Sequence, residues 1–89
     1  MIDTKDYIKY IKSQFCGVCG TSPVDADHLE AIGMGNSRKK SSLKDLSCVP
    51  LCRVHHTERH QLGIKRFNEL YRIDLWKDAF VLLRRYFCE

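Results

Sequence analysis

Tyr7, Ile8 and Ile11 share one face at spacings of three and four, which predicts a helix over 3–13 with Asp3 as its cap. Cys16-Gly-Val-Cys-Gly20 interrupts that pattern, and its two glycines favour a tight turn. Residues 24–29 alternate enough for a short strand. Residues 33–44, rich in glycine, serine and charge, have no periodicity and read as a loop. Val49-Pro-Leu51 reads as a second strand, with the proline where no ladder bond is needed. A helix over about 53–62 follows, ended by Gly63. Ile64, Phe67, Leu70 and Tyr71 mark another over 64–71. Leu75, Ala79, Leu82, Leu83 and Tyr86 mark a last one over about 75–86, capped by Asp74. Trp76, Phe80, Phe67, Tyr71 and Tyr86 are expected in the core. The expectation is an α+β fold in one domain over 1–89: an N-terminal helix, a ββα core near 16–62, and C-terminal helices near 64–87.

Composition changes that picture in one respect. A chain of 89 residues buries little apolar surface, so a metal or disulfide staple is expected. Five cysteines are available for it. The chain has neither a signal-peptide core nor an apolar run of membrane-spanning length. That predicts a cytoplasmic protein with reduced thiols, and the odd cysteine count also favours metal over disulfides. The net charge of +4 is compatible with a nucleic-acid partner without requiring one.

Cys16-x2-Cys19 spaces two thiolates for one tetrahedral ion, and Cys52-x2-His55 repeats that spacing after 32 intervening residues. Together they predict a structural zinc site of Cys16, Cys19, Cys52 and His55. Cys48 is the rival fourth ligand; otherwise it is a buried core thiol. Cys16-x2-Cys19 lacks the following helix and βαβ setting of a redox motif. His56 and His60, about 40° apart around a helix, can grip a second ion that His55 cannot share. Asp27-His28 is the expected completion: the Asp27 carboxylate on the ion and His28 on the attacking water. Neighbours on a strand point to opposite faces, so a local bend is expected there.

Cys-x2-Cys, then Asp-His, then Pro-Leu-Cys-x2-His-His-x3-His, taken in that order, resembles the HNH (ββα-metal) endonucleases over residues 16–86. The likeness is to small phage and prophage HNH proteins of the recombination-enhancement type. It extends to Gly33-Met-Gly35, His60-Gln-Leu-Gly63, Phe67, Ile73-Asp-Leu75 and Ala79. It implies Asp27, His56 and His60 on a catalytic divalent ion, His28 as general base, and a bacterial or phage-infected cell as the setting. His55 stands where many relatives have a cysteine. The family's middle asparagine is replaced by Ser47, with Asn36 lying earlier in the loop.

The resemblance implies metal-dependent hydrolysis of DNA phosphodiester bonds, nicking one strand and leaving 5′-phosphate ends. Magnesium, manganese, nickel, cobalt and zinc all suit the mixed nitrogen and oxygen ligands. Arg38, Lys39, Lys40, Lys44 and Arg53 are the candidate contacts to the DNA phosphate backbone. The alternative is a zinc-stapled module that binds DNA or a partner in phage recombination or packaging without cutting. A module of that kind has no need of Asp27, His28, His56 and His60 together. Oligomeric state has no readable pattern.

Overall fold

A computed structural model describes residues 4–30 and 43–88. In chain order these form α1 (Thr4–Lys12), β1 (Asp25–His28), a 3₁₀ turn η1 (Leu43–Ser47), β2 (Cys48–Leu51), α2 (Arg53–Leu62), α3 (Ile64–Tyr71) and α4 (Leu75–Cys88). The class of the described residues is α+β, as expected: four α-helices and a two-stranded sheet. Asp3 and the loop residues up to 42 lie outside the described residues.

The strands pair antiparallel, with Asp25 opposite Leu51, Ala26 opposite Pro50, Asp27 opposite Val49 and His28 opposite Cys48. The Pro50 carbonyl accepts from the Gly17 amide at 3.0 Å, so the proline's missing donor lies on the outer edge and costs no ladder bond. The same bond seats the Cys16–Cys19 turn beside β2.

Alternation along the strands sorts residues onto two faces. Val49 and Leu51 join Cys16, Val24, Leu29, Phe67, Leu75 and Ala79 in one apolar cluster. Cys48 joins Tyr7 and Ile11 of α1 in the other, with Ala26, Leu82, Leu83 and Tyr86 packed around it. Each fully buried side chain of this size contributes about 1.5–3 kcal/mol. Phe67 and Tyr7 are the largest of them.

The remaining boundaries follow local chemistry. Gly63 closes α2 at φ 83°, and its amide bonds the Arg59 carbonyl. Arg72 ends α3 in the left-handed region at φ 54°, a position no glycine or asparagine marked in advance. Asp74 Oδ1 accepts the Lys77 amide at 3.2 Å, which is the cap expected for α4. Two aromatic expectations are corrected. Trp76 and Phe80 are 47% and 59% exposed, because α4 buries the stripe carrying Leu75 and Ala79 and turns them outward. Leu70 also faces out, and Phe67 alone of α3 is fully buried.

The Tyr7 hydroxyl is buried with no hydrogen-bond partner among the described residues. Burial, then the neighbouring Cys48 and Tyr10, raise its pKa to about 12. A buried unmatched hydroxyl is a net cost, so Tyr7→Phe should raise the stability of the protein by about 1 kcal/mol. Urea unfolding at constant metal loading measures this, and a fall in midpoint would reveal a bond to the hydroxyl.

Candidate metal centres

The turn at Cys16 is laced by its own backbone. The Cys16 amide bonds the Thr21 carbonyl at 2.9 Å, and the Gly20 amide bonds the Cys16 carbonyl at 2.9 Å. The Val18 amide points at Cys16 Sγ, 3.4 Å away. Cys52 caps α2 in extended geometry and brings His55 one turn along. Cys52 Sγ lies 3.2 Å from His55 Nδ1 and 3.8 Å from Cys19 Sγ. Cys16 Sγ lies 3.7 Å from the same His55 nitrogen. All four donor atoms fall within 4.8 Å of one another.

A tetrahedral ion with sulfur ligands near 2.3 Å places neighbouring sulfurs about 3.8 Å apart, so the donors already stand at coordination spacing. The set Cys16, Cys19, Cys52 and His55 therefore fits one metal ion, such as zinc. The Thr21 hydroxyl, 2.9 Å from Cys19 Sγ, and then the Thr21 backbone lower that thiol to about 6. The His55 ring meets Tyr71 edge-on at 5.3 Å, and the Tyr71 hydroxyl donates to Glu58. Cys48 is on the opposite side of β2, fully buried, and burial first of all pushes its thiol up to about 12. Its place in the α1 cluster removes it as the fourth ligand.

The second cluster forms where β1 crosses α2. His56 Nε2 and His60 Nε2 are 3.1 Å apart, and each is 3.4 Å from Asp27 Oδ1. Ligand distances near 2.1 Å give donor separations of about 3.0–3.4 Å, so these three atoms also suit one ion. Three protein donors leave further positions open. The cleft around them has a volume of about 690 Å³, and Ala26, His28, Arg59 and Ile64 are among its other lining residues.

Three residues support this cluster in ways that their places in the sequence did not announce. Arg59 is 8% exposed and clamps Asp27. Its Nε and one terminal nitrogen donate to the two carboxylate oxygens at 2.7 Å each, and the terminal nitrogen also reaches the His28 carbonyl at 3.3 Å. Asp25 lies 3.0 Å from His56 Nδ1, and this bond is the main cause of the lowered pKa of Asp25. Asp45 lies 2.7 Å from His28 Nε2. Asp25 and Asp45 carry no local signal that sets them apart from other acidic residues.

Asp27 and His28 follow strand alternation rather than a bend. Asp27 turns to α2, whereas the His28 ring turns to Asp45, and both still line the cleft. Lys44, expected as a loop phosphate contact, is instead on η1 and only 9% exposed, where the turn packs against α1, α4 and β1. Arg53 is exposed and pairs with Asp25 at 3.0 Å. Arg38, Lys39, Lys40 and Asn36 lie outside the described residues. Ser47, expected at the position of the family's asparagine, ties η1 down: its hydroxyl donates to the Lys44 carbonyl at 2.7 Å and accepts the Glu30 amide at 3.1 Å.

A family model described as "Putative HNHc nuclease" matches residues 3–84. The chain belongs to this HNH nuclease family. It is also 41% identical over 54 residues to "Uncharacterized protein YdfU" of Escherichia coli (strain K12), covering 61% of the chain and 15% of that protein. The chain thus spans only a small part of the length of that relative. No solved structure matches the chain. Among the described residues, no helix is long and apolar enough to cross a membrane.

The two positions of cysteine around β2 make a direct test of the four-donor cluster. Cobalt-loaded protein should show near-ultraviolet thiolate-to-cobalt absorption that weakens in Cys52→Ala and Cys19→Ala and persists in Cys48→Ala. Loss of the band in Cys48→Ala would put that thiol on the ion instead.

Proposed function

We propose that the protein is a metal-dependent DNA endonuclease that nicks one strand, with His28 as general base. The observation that supports this most is the convergence of Asp27 Oδ1, His56 Nε2 and His60 Nε2 in a cleft that His28 also lines. Asp27, His56 and His60 would hold a divalent ion (magnesium, manganese, nickel, cobalt or zinc), which would supply charge neutralisation at the phosphate and the leaving oxygen. Arg59 holds Asp27 in place, and Asp25 holds His56 with Nε2 toward the cleft. His28 takes the proton of the attacking water, a task suited to an imidazole nitrogen. Cys16, Cys19, Cys52 and His55 bind structural zinc, since four protein ligands leave no open position. Arg53, with Arg38, Lys39 and Lys40, contacts the phosphate backbone. The setting is the cytoplasm of a bacterial or phage-infected cell.

One observation favours a second reading. Arg59 already neutralises both oxygens of Asp27, as suits a module that binds DNA or a partner in phage recombination or packaging without cutting. Supercoiled plasmid incubated with protein and magnesium, manganese, nickel or EDTA separates the two. Metal-dependent nicking is expected, and His28→Ala, still zinc-loaded, should lose about 10²–10⁴-fold in rate. A zinc-loaded wild type that cuts with none of these ions would overturn the nuclease reading.

Outer-shell partners of ligating histidines are typically worth 10–100-fold in affinity, so Asp25→Ala should weaken manganese or nickel binding at the Asp27 cluster by about that factor. Calorimetric titration of zinc-loaded protein measures it. Unchanged affinity would show that Asp25 serves only its surface pair with Arg53.

A further inference from the structure

We propose that Asp45 is the positioning residue for His28, fixing the imidazole with its proton on Nε2 and leaving Nδ1 as the basic nitrogen. This rests on the reading of His28 as the base. Asp45 Oδ1 is 2.7 Å from His28 Nε2, and among the described residues no other side chain bonds this ring. An ionised carboxylate only accepts hydrogen bonds, so the nitrogen facing it carries the proton. The lone pair is then confined to Nδ1.

Asp45 is itself held from behind. Its other oxygen accepts from Thr4 Oγ1 at 2.7 Å, and Thr4 is buried at the start of α1. The two carboxylate oxygens are thus engaged in different directions, which fixes the plane of the group. The turn that carries Asp45 is laced to the residues just after His28. The Leu29 amide bonds the Ser47 carbonyl at 3.4 Å, and the Glu30 amide bonds the Ser47 hydroxyl at 3.1 Å. Ser47 ties the turn to the residues just after His28, and Asp45, two residues earlier, orients the ring.

The chemical consequence is specific. A charge-assisted bond to Nε2–H is stronger than one from a neutral acceptor, so it holds the ring firmly. Asp45 therefore holds His28 in one tautomer and one orientation. It does so without touching substrate or ion, which distinguishes it from Asp27.

The test combines a structural and a kinetic readout on zinc-loaded, ¹⁵N-labelled protein. Long-range ¹H–¹⁵N spectra of the neutral ring should show His28 as the Nε2–H tautomer in wild type, and as a mixture in Asp45→Ala. In plasmid cleavage, Asp45→Ala should lower kcat by about ten- to a hundredfold with KM unchanged, a share of the general-base contribution. Thr4→Val leaves Asp45 in place, should keep the tautomer with a smaller loss of kcat, and serves if Asp45→Ala does not fold. An Nδ1–H tautomer in wild type would overturn the proposal, as would an Asp45→Ala protein with the wild-type tautomer and rate. A wild type that never cuts would remove the nuclease reading alone, because the tautomer spectra still decide whether Asp45 sets the ring.

Discussion

The buried pair between Asp27 and Arg59 is the contact on which the arrangement of the second cluster depends. Asp27 is 1% exposed, and a lone carboxylate at that depth would be expensive. Arg59 meets it with two parallel bonds of 2.7 Å, the geometry in which a guanidinium matches a carboxylate best. Breaking such a pair by removing one partner costs about 3–5 kcal/mol, because the other charge stays behind. The bond to the His28 carbonyl extends the clamp along the strand. One arginine on α2 thereby fixes where β1 runs, and so fixes Asp27 against the two histidines of the same helix.

Two donor clusters share that helix without interfering. Cys52 and His55 at the start of α2 face the Cys16 turn. His56 and His60 face β1. Adjacent histidines diverge by about 100° around a helix, so His55 and His56 are committed to different sites by backbone geometry alone. Each is then steadied by a neighbour of its own, Tyr71 for His55 and Asp25 for His56. On the other face of the sheet, α1 supplies Tyr7 and Ile11 to the core and Thr4 to Asp45. The N-terminal helix, which lies within the matched span 3–84, is thus tied to the ring of His28.

Much of this was legible in the amino-acid order. The helices near 53–62 and 64–71 agree with the structure, because Gly63 and the apolar stripes mark them. The donor sets were legible as well, since Cys-x2-Cys, Cys-x2-His and His-x3-His are local spacings that bring atoms together whatever the rest of the chain does. Short strands were placed with errors of one residue, from 24–29 to Asp25–His28 and from 49–51 to Cys48–Leu51. Trp76 and Phe80 were misplaced, because a helix with apolar residues on more than one side does not announce which stripe will be covered.

The sequence by itself determined which residues can ligate and in what pairs, because those relations are carried by three or four residues of backbone. Only the tertiary structure decided which charges hold them. Arg59 reaches Asp27 across 32 positions, Asp25 reaches His56 across 31, and Asp45 reaches His28 across 17. No local periodicity encodes such pairings. They exist because the register of β1 on β2, and the packing of α1 and α2 on opposite faces of that ribbon, bring distant side chains within hydrogen-bonding range.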